Sequence, residues 1–70
     1  MLSFDDWQDK KCARYYSRVD NAACAYSLAR RYGEPESELK IYFEELQKAE
    51  KALERAQNRY SYEAYCRLFD

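Results

Sequence analysis

Apolar residues recur every seven positions in the second half of the chain. Leu39, Leu46 and Leu53 are seven residues apart, and a second apolar residue lies three positions after each of them. These companions are Tyr42, Ala49 and Ala56. The first half repeats the spacing at Cys12, Tyr15, Val19, Ala22, Tyr26 and Ala29. Heptad spacing of this kind is typical of α-helices that pack through one narrow apolar seam.

One strong break separates the two seams. Gly33 favours the left-handed conformation that ends a helix, and Pro35 suits the first turn of the next helix. A short turn between two helices makes them antiparallel neighbours. We therefore predict an all-α fold, a single domain over 1–70, built on an antiparallel helical hairpin with helices at about 4–32 and 35–58 or longer.

The two seams match in side-chain size when the chain folds back about residue 34. Facing residue numbers then sum to 68, which pairs Ala22 with Leu46 and Val19 with Ala49. The other predicted pairs are Ala29–Leu39, Tyr26–Tyr42, Tyr15–Leu53 and Cys12–Ala56. Large side chains face small ones at most levels, as close packing of two helices requires.

The C-terminal segment allows two structures, because 58–61 contains poor helix formers. In the first, Ser61 caps a short third helix over 62–69 that folds over the open side of the hairpin and buries its apolar residues. These residues are Tyr62, Tyr65, Leu68 and Phe69. In the second, the second helix continues unbroken and the same rings meet Phe4 and Trp7 at the far end. We favour the continuous helix.

Several apolar residues remain outside the seam once the two helices are paired. They are Tyr16, Leu28, Tyr32, Ile41 and Phe43. A two-helix hairpin on its own is marginally stable and would leave much of this surface in water. Either a third helix covers these residues, or the chain forms a dimeric four-helix bundle or docks on a partner protein.

Composition excludes most catalytic and metal-binding chemistry. The 70 residues contain no His and three cysteines, which are widely spaced. Neither a zinc site nor a Cys–His or Ser–His nucleophile follows from these residue types. We therefore predict that the protein is not an enzyme, uses no cofactor or metal, and has no small-molecule substrate. Reduced thiols, an acidic N-terminus and the lack of a membrane-length apolar run favour a cytoplasmic protein without membrane contact.

Basic residues form two stripes at helical spacing, although the net charge is −1. The longer stripe lies opposite the leucine seam and consists of Lys48, Lys51, Arg55 and Arg59. A shorter stripe on the first helix consists of Lys11, Arg14 and Arg18. Such stripes are suited to tracking phosphates, so an RNA- or DNA-binding helical hairpin is an alternative function. Interleaved glutamates also allow both stripes to be ordinary solvated surface.

Eight tyrosines in 70 residues indicate a binding surface for another macromolecule. Our main hypothesis is a non-enzymatic protein–protein interaction module that acts as a small regulator, adaptor or stoichiometric inhibitor, of which a phage- or plasmid-encoded inhibitor is one instance. The candidate contact residues are Tyr16, Tyr32, Phe43, Tyr62, Tyr65, Arg14, Arg18 and Arg31. We place Trp7 in the core instead. A purely structural homodimeric bundle is a further alternative.

Overall fold

Three α-helices make up the fold. The computed structural model describes residues 2–68, in which α1 spans Phe4–Arg31, α2 spans Glu36–Arg59 and α3 spans Tyr62–Leu68. There is no strand in this part of the chain. α1 and α2 pack together along their length as an antiparallel hairpin, and the predicted all-α hairpin is therefore confirmed.

Local chemistry defines both ends of α1. The Ser3 hydroxyl accepts a hydrogen bond from the backbone N–H of Asp6 at 3.2 Å, which satisfies one of the free donors of the first turn. At the other end, Gly33 adopts a φ of 72°, the left-handed conformation expected of it. The N–H of Glu34 then donates to the carbonyl of Ala29 at 3.0 Å, which closes the helix end and turns the chain toward α2.

Small side chains fill the contact between α1 and α2. The buried residues are Trp7, Cys12, Ala29, Ala49 and Ala56. Three of them are alanines, and Cys12 and Ala49 are both 0% exposed, so the helix backbones approach closely at these levels. The ring pair Tyr26–Phe43 lies within one residue of the predicted register.

A separate third helix replaces the continuous second helix that we favoured from the sequence, and that preference was wrong. The backbone leaves the helical conformation at Tyr60, with φ −99° and ψ 53°. The Ser61 hydroxyl accepts a hydrogen bond from the N–H of Ala64 at 3.4 Å and so begins α3. Gln8 of α1 donates to the carbonyls of Gln57 and Tyr60 at 3.4 and 3.0 Å, which stabilises the end of α2 where it breaks.

The position of α3 combines features of both sequence alternatives. Its Tyr65 ring lies 5.7 Å from Phe4 and 5.6 Å from Trp7, centroid to centroid. The ring contact that we expected from a continuous α2 is therefore formed by α3 instead. The expectation that α3 would bury its own apolar residues is wrong for Tyr62 and Leu68, which remain 62% and 61% exposed. Phe69, also expected in this cluster, lies outside the described residues.

Candidate protein-interaction surface

An aromatic cluster closes the open end of the hairpin. Trp7 is 8% exposed and packs edge-on against Tyr60 at 5.8 Å, which confirms it as a core residue. The Tyr65 hydroxyl donates to the carbonyl of Leu2 at 2.6 Å, and Phe4 packs edge-on against Tyr62 at 5.4 Å. These rings contact one another within the chain, so their main role is to hold α3 and the N-terminus to the hairpin.

Side-chain contacts link α1 and α2 along one side of the hairpin, which also carries an open pocket lined by Tyr26, Leu39 and Phe43. The Gln57 amide donates to the Tyr16 hydroxyl at 3.0 Å, and the Tyr26 ring lies 5.7 Å from Phe43. The Arg30 guanidinium lies 5.8 Å above the Tyr26 ring. Tyr16 is therefore partly buried in an interhelical contact, while Phe43 keeps 44% of its surface exposed.

The opposite side of the hairpin carries an open groove near the turn. Its lining consists of Ala25, Leu28, Ala29, Tyr32, Glu34 and Tyr42. Leu28 lies in the last turn of α1 and Tyr32 directly follows the helix; both line the groove and are 48% and 76% exposed. Ile41, beside Tyr42 on α2, is 55% exposed. We call the four residues Leu28, Tyr32, Ile41 and Tyr42 the turn patch.

Each helix contributes one rim to this groove. A rim is a stripe of residues that are alternately three and four positions apart along the helix. On α1 the rim runs through Lys11, Arg14, Arg18, Asn21, Ala25, Leu28 and Tyr32. On α2 it runs through Glu38, Ile41, Glu45, Lys48, Ala52, Arg55 and Arg59. Residues at these spacings share one helix face, so the two stripes continue along the hairpin on the side where the groove lies.

Charge divides this side of the hairpin into two halves. The half near the turn carries exposed Glu34, Glu38 and Glu45 beside the turn patch. The half near the open end carries exposed cations from both rims, namely Lys11, Arg14, Arg18, Lys48, Arg55 and Arg59. Lys48 and Glu45 form an ion pair at 3.7 Å where the halves meet, but both side chains are more than half exposed and the pair contributes little to stability.

The chain is more elongated and exposes more surface than a compact domain of its length. The Cα radius of gyration is 15.8 Å, whereas a compact domain of this length has about 11 Å. The accessible surface is 5698 Å², while a compact monomer of 8.5 kDa exposes about 4,700 Å². The excess is about 1,000 Å², similar to the ~800 Å² that each partner buries in a standard protein–protein interface.

The thiols and carboxylates are the groups of residues 2–68 that could hold a metal ion or act as nucleophiles. Among residues 2–68, no group of three or more carboxylate or thiol side chains is placed to hold a metal ion. Burial, with the nearby charge of Asp9, raises the pKa of the Cys12 thiol and makes it a poor nucleophile. A hydrogen bond with the Cys66 side chain, the largest of several causes, raises the pKa of the Tyr62 phenol.

The candidate residues from the sequence fall into two groups. Tyr16 and Tyr65 are partly buried in contacts within the chain, whereas the remaining candidates are exposed. The exposed candidates are Tyr32, Phe43, Tyr62, Arg14, Arg18 and Arg31, together with the nucleic-acid set Lys11, Lys48, Lys51, Arg55 and Arg59. Leu28 and Ile41 stood out in the sequence as unpaired apolar residues but were not named as contacts. The continuous three-and-four spacing of each rim is the signal that connects them to the charged residues.

Comparisons with protein-family models, curated proteins and solved structures found no match to this chain. No helix within residues 2–68 has both the length and the apolar character needed to cross a membrane.

Proposed function

We propose that the protein is a non-enzymatic interaction module that binds another protein through the turn patch, acting as a regulator, adaptor or stoichiometric inhibitor. The observation that supports this most directly is that Leu28, Tyr32 and Ile41 are exposed on the same side of an elongated hairpin. Leu28, Tyr32 and Tyr42 line one groove, and apolar surface of this kind bordered by polar residues is typical of protein-binding sites.

The composition of the surface suits binding by occupancy. A tyrosine anchor such as Tyr32 supplies a large rigid contact area, and charged residues at the rim exclude water around it. Arg31, next to Tyr32, and Glu34 provide such a rim at the turn. As part of the same proposal we place the protein in the cytoplasm, since Cys12, Cys24 and Cys66 are all free.

The test uses two exposed leucines as matched variants. Leu28→Ser removes an apolar side chain from the turn patch, while Leu68→Ser removes an equally large one from α3, outside it. Affinity capture from a lysate of the source cells, followed by calorimetry on any protein recovered, should give one stoichiometric partner. We expect Leu28→Ser to weaken its binding about tenfold or more, because a central apolar contact typically contributes more than ~1.4 kcal/mol.

Equal binding by both leucine variants would refute the role of the turn patch. Circular dichroism of both variants checks that neither change disturbs the fold. If Leu28→Ser alone loses helix content, Tyr32→Ser takes its place in the binding measurement, because Tyr32 lies on the same rim and is 76% exposed.

Nucleic-acid binding is the second candidate, because every cation of the predicted stripes is exposed. The exposed cations near the open end would provide phosphate contacts, although Glu50 and Glu54 on the opposite side of α2 balance part of their charge. Mobility-shift titrations at increasing salt test this function directly. Binding to RNA or DNA that weakens steeply with salt would favour it over the protein-binding proposal.

A further inference from the structure

We infer that the partner of the groove is a second copy of this chain, laid antiparallel to the first to form a four-helix bundle. This inference rests on the proposed function, because it assigns an occupant to the same turn patch. Three features of this side of the hairpin favour such a partner: the order of charges along its rims, its small residues, and the surface that the chain leaves uncovered.

The rim on α1 changes from basic to apolar along its length. Lys11, Arg14 and Arg18 lie toward the open end, whereas Leu28 and Tyr32 lie at the turn. No acidic residue interrupts this stripe. The rim therefore offers positive charge at one end of the hairpin and apolar surface at the other.

The rim on α2 changes from acidic to basic in the corresponding direction. Glu38 and Glu45 flank Ile41 near the turn, while Arg55 and Arg59 lie toward the open end. Both rims thus place their positive charge in the same half of the groove. The negative charge lies entirely in the other half.

A two-fold axis that lies between the two copies, perpendicular to the long axis of the hairpin, brings these unlike halves together. Rotation by half a turn about such an axis places the turn half of one copy over the open half of the other. Glu38 and Glu45 of each copy then face cations of its partner, and the same contacts occur twice. In a parallel arrangement α1 lies over the α2 of the partner, which places Lys11, Arg14 and Arg18 against Arg55 and Arg59 and is unfavourable.

Small residues allow the two hairpins to approach each other. Ala25 on one rim and Ala52 on the other are partly exposed, and Ala49 lies buried between the helices. Alanines at these positions leave room for the larger side chains of a facing helix, as ridges-into-grooves packing requires. The surface of about 1,000 Å² that the chain exposes beyond a compact monomer is of the size that each partner buries in a standard interface.

The inference is tested with two charge-reversal variants of the full chain. Glu38→Lys with Glu45→Lys reverses the acidic charge of the α2 rim, and Arg55→Glu with Arg59→Glu reverses the basic charge that faces it across the two-fold axis. All four residues are exposed, so the hairpin should fold in both variants, as circular dichroism would verify. Sedimentation equilibrium should show a dimer for the wild type and a dissociation constant at least about tenfold higher for each variant alone.

Mixing the two variants provides the decisive measurement. In a mixed dimer, the introduced lysines of one copy face the introduced glutamates of the other, so association should return toward the wild-type level. A pair whose mixture stays dissociated would overturn the antiparallel arrangement. As a matched control, Glu50→Lys with Glu54→Lys changes the same charge on the opposite side of α2 and should leave the wild-type dimer intact.

The outcome separates this inference from the proposed function. A wild-type chain that is monomeric at all accessible concentrations but still binds a lysate protein through Leu28 would refute the homodimer and retain the interaction module. A chain that remains monomeric and captures no partner would refute both. A dimer unaffected by either charge reversal would show that another face mediates the association.

Discussion

Individual small residues determine how closely the two long helices approach. Cys12 and Ala49 are 0% exposed and Ala56 is 3% exposed, although each has a short side chain. Burial at these positions excludes water without filling the interface with large groups. The stability of the hairpin therefore depends on backbone proximity, and the chain has few large apolar side chains left to bury within itself.

Cys12 should be the least reactive thiol of the folded protein. In a Cys24→Ser/Cys66→Ser variant, the remaining Cys12 should react with a thiol reagent at least about tenfold more slowly than Cys24 does in a Cys12→Ala/Cys66→Ser variant. The reason is that Cys12 is fully buried whereas Cys24 is exposed, so reaction at Cys12 requires the structure to open. Equal rates would show that the α1–α2 contact is not formed in solution.

The raised pKa of Cys12 also predicts a pH dependence of stability. At a pH between the ordinary and the raised pKa, the thiol is neutral in the folded state and ionised in the unfolded state. Its contribution to the free energy of unfolding is therefore fully present below the ordinary thiol pKa. That contribution is lost as the pH rises through the raised pKa of the folded state. Cys12→Ala should remove this part of the pH dependence, which urea unfolding on both sides of the ordinary thiol pKa would measure.

At the scale of elements, local residues define both ends of α1 and the start of α2, but not the end of α2. Ser3, Gly33 and Pro35 define the two ends of α1 and the start of α2 as expected. The end of α2 depends on a residue distant in sequence, since Gln8 donates to the carbonyls of Gln57 and Tyr60. No local pattern could reveal that contact, and the continuous helix was therefore favoured wrongly.

Gln8 should stabilise the break between α2 and α3. We expect Gln8→Leu to lower the free energy of unfolding by about 1 kcal/mol, because two partly buried carbonyls lose their donor. Gln47→Leu is the matched control, since Gln47 is exposed on α2 and should change stability by less than about 0.5 kcal/mol. Chemical denaturation followed by circular dichroism measures both. Similar small effects in the two variants would contradict the capping role of Gln8.

At the scale of the whole molecule, the chain is an elongated hairpin with principal extents of 53 × 17 × 11 Å. α3 packs on one end of this shape and leaves the groove at the turn uncovered. The alternative in which a third helix covers all remaining apolar residues is therefore not realised within residues 2–68. Leu28, Tyr32 and Ile41 stay exposed, and they form the surface that the proposed partner would cover.

Salt should weaken the inferred dimer without unfolding the hairpin. Raising sodium chloride from about 0.1 M to about 1 M shortens the Debye length from ~10 Å to ~3 Å, which screens the facing acidic and basic halves. We expect the dissociation constant of the dimer to rise several-fold in sedimentation experiments. Helix content should change little, because the described ion pair within the chain, Lys48–Glu45, is exposed and weak. A dissociation constant unchanged by salt would contradict charge pairing across the interface.

The sequence by itself determined the helical class, the two long helices and the approximate register between them, because heptad spacing and the turn residues Gly33 and Pro35 act over short distances. It also separated seam residues from the apolar residues beyond the seam. Those properties depend on neighbours three to seven positions away, which a linear pattern records.

Only the tertiary structure decided where the chain breaks after Arg59, that Tyr16 bonds to Gln57, and which side of the hairpin stays open. Each of these depends on contacts between residues far apart in sequence, whose free energies compete within about 1 kcal/mol. The spacing of side chains along one helix cannot specify such contacts, because the same exposed ring can turn to either side until a facing residue offers a partner.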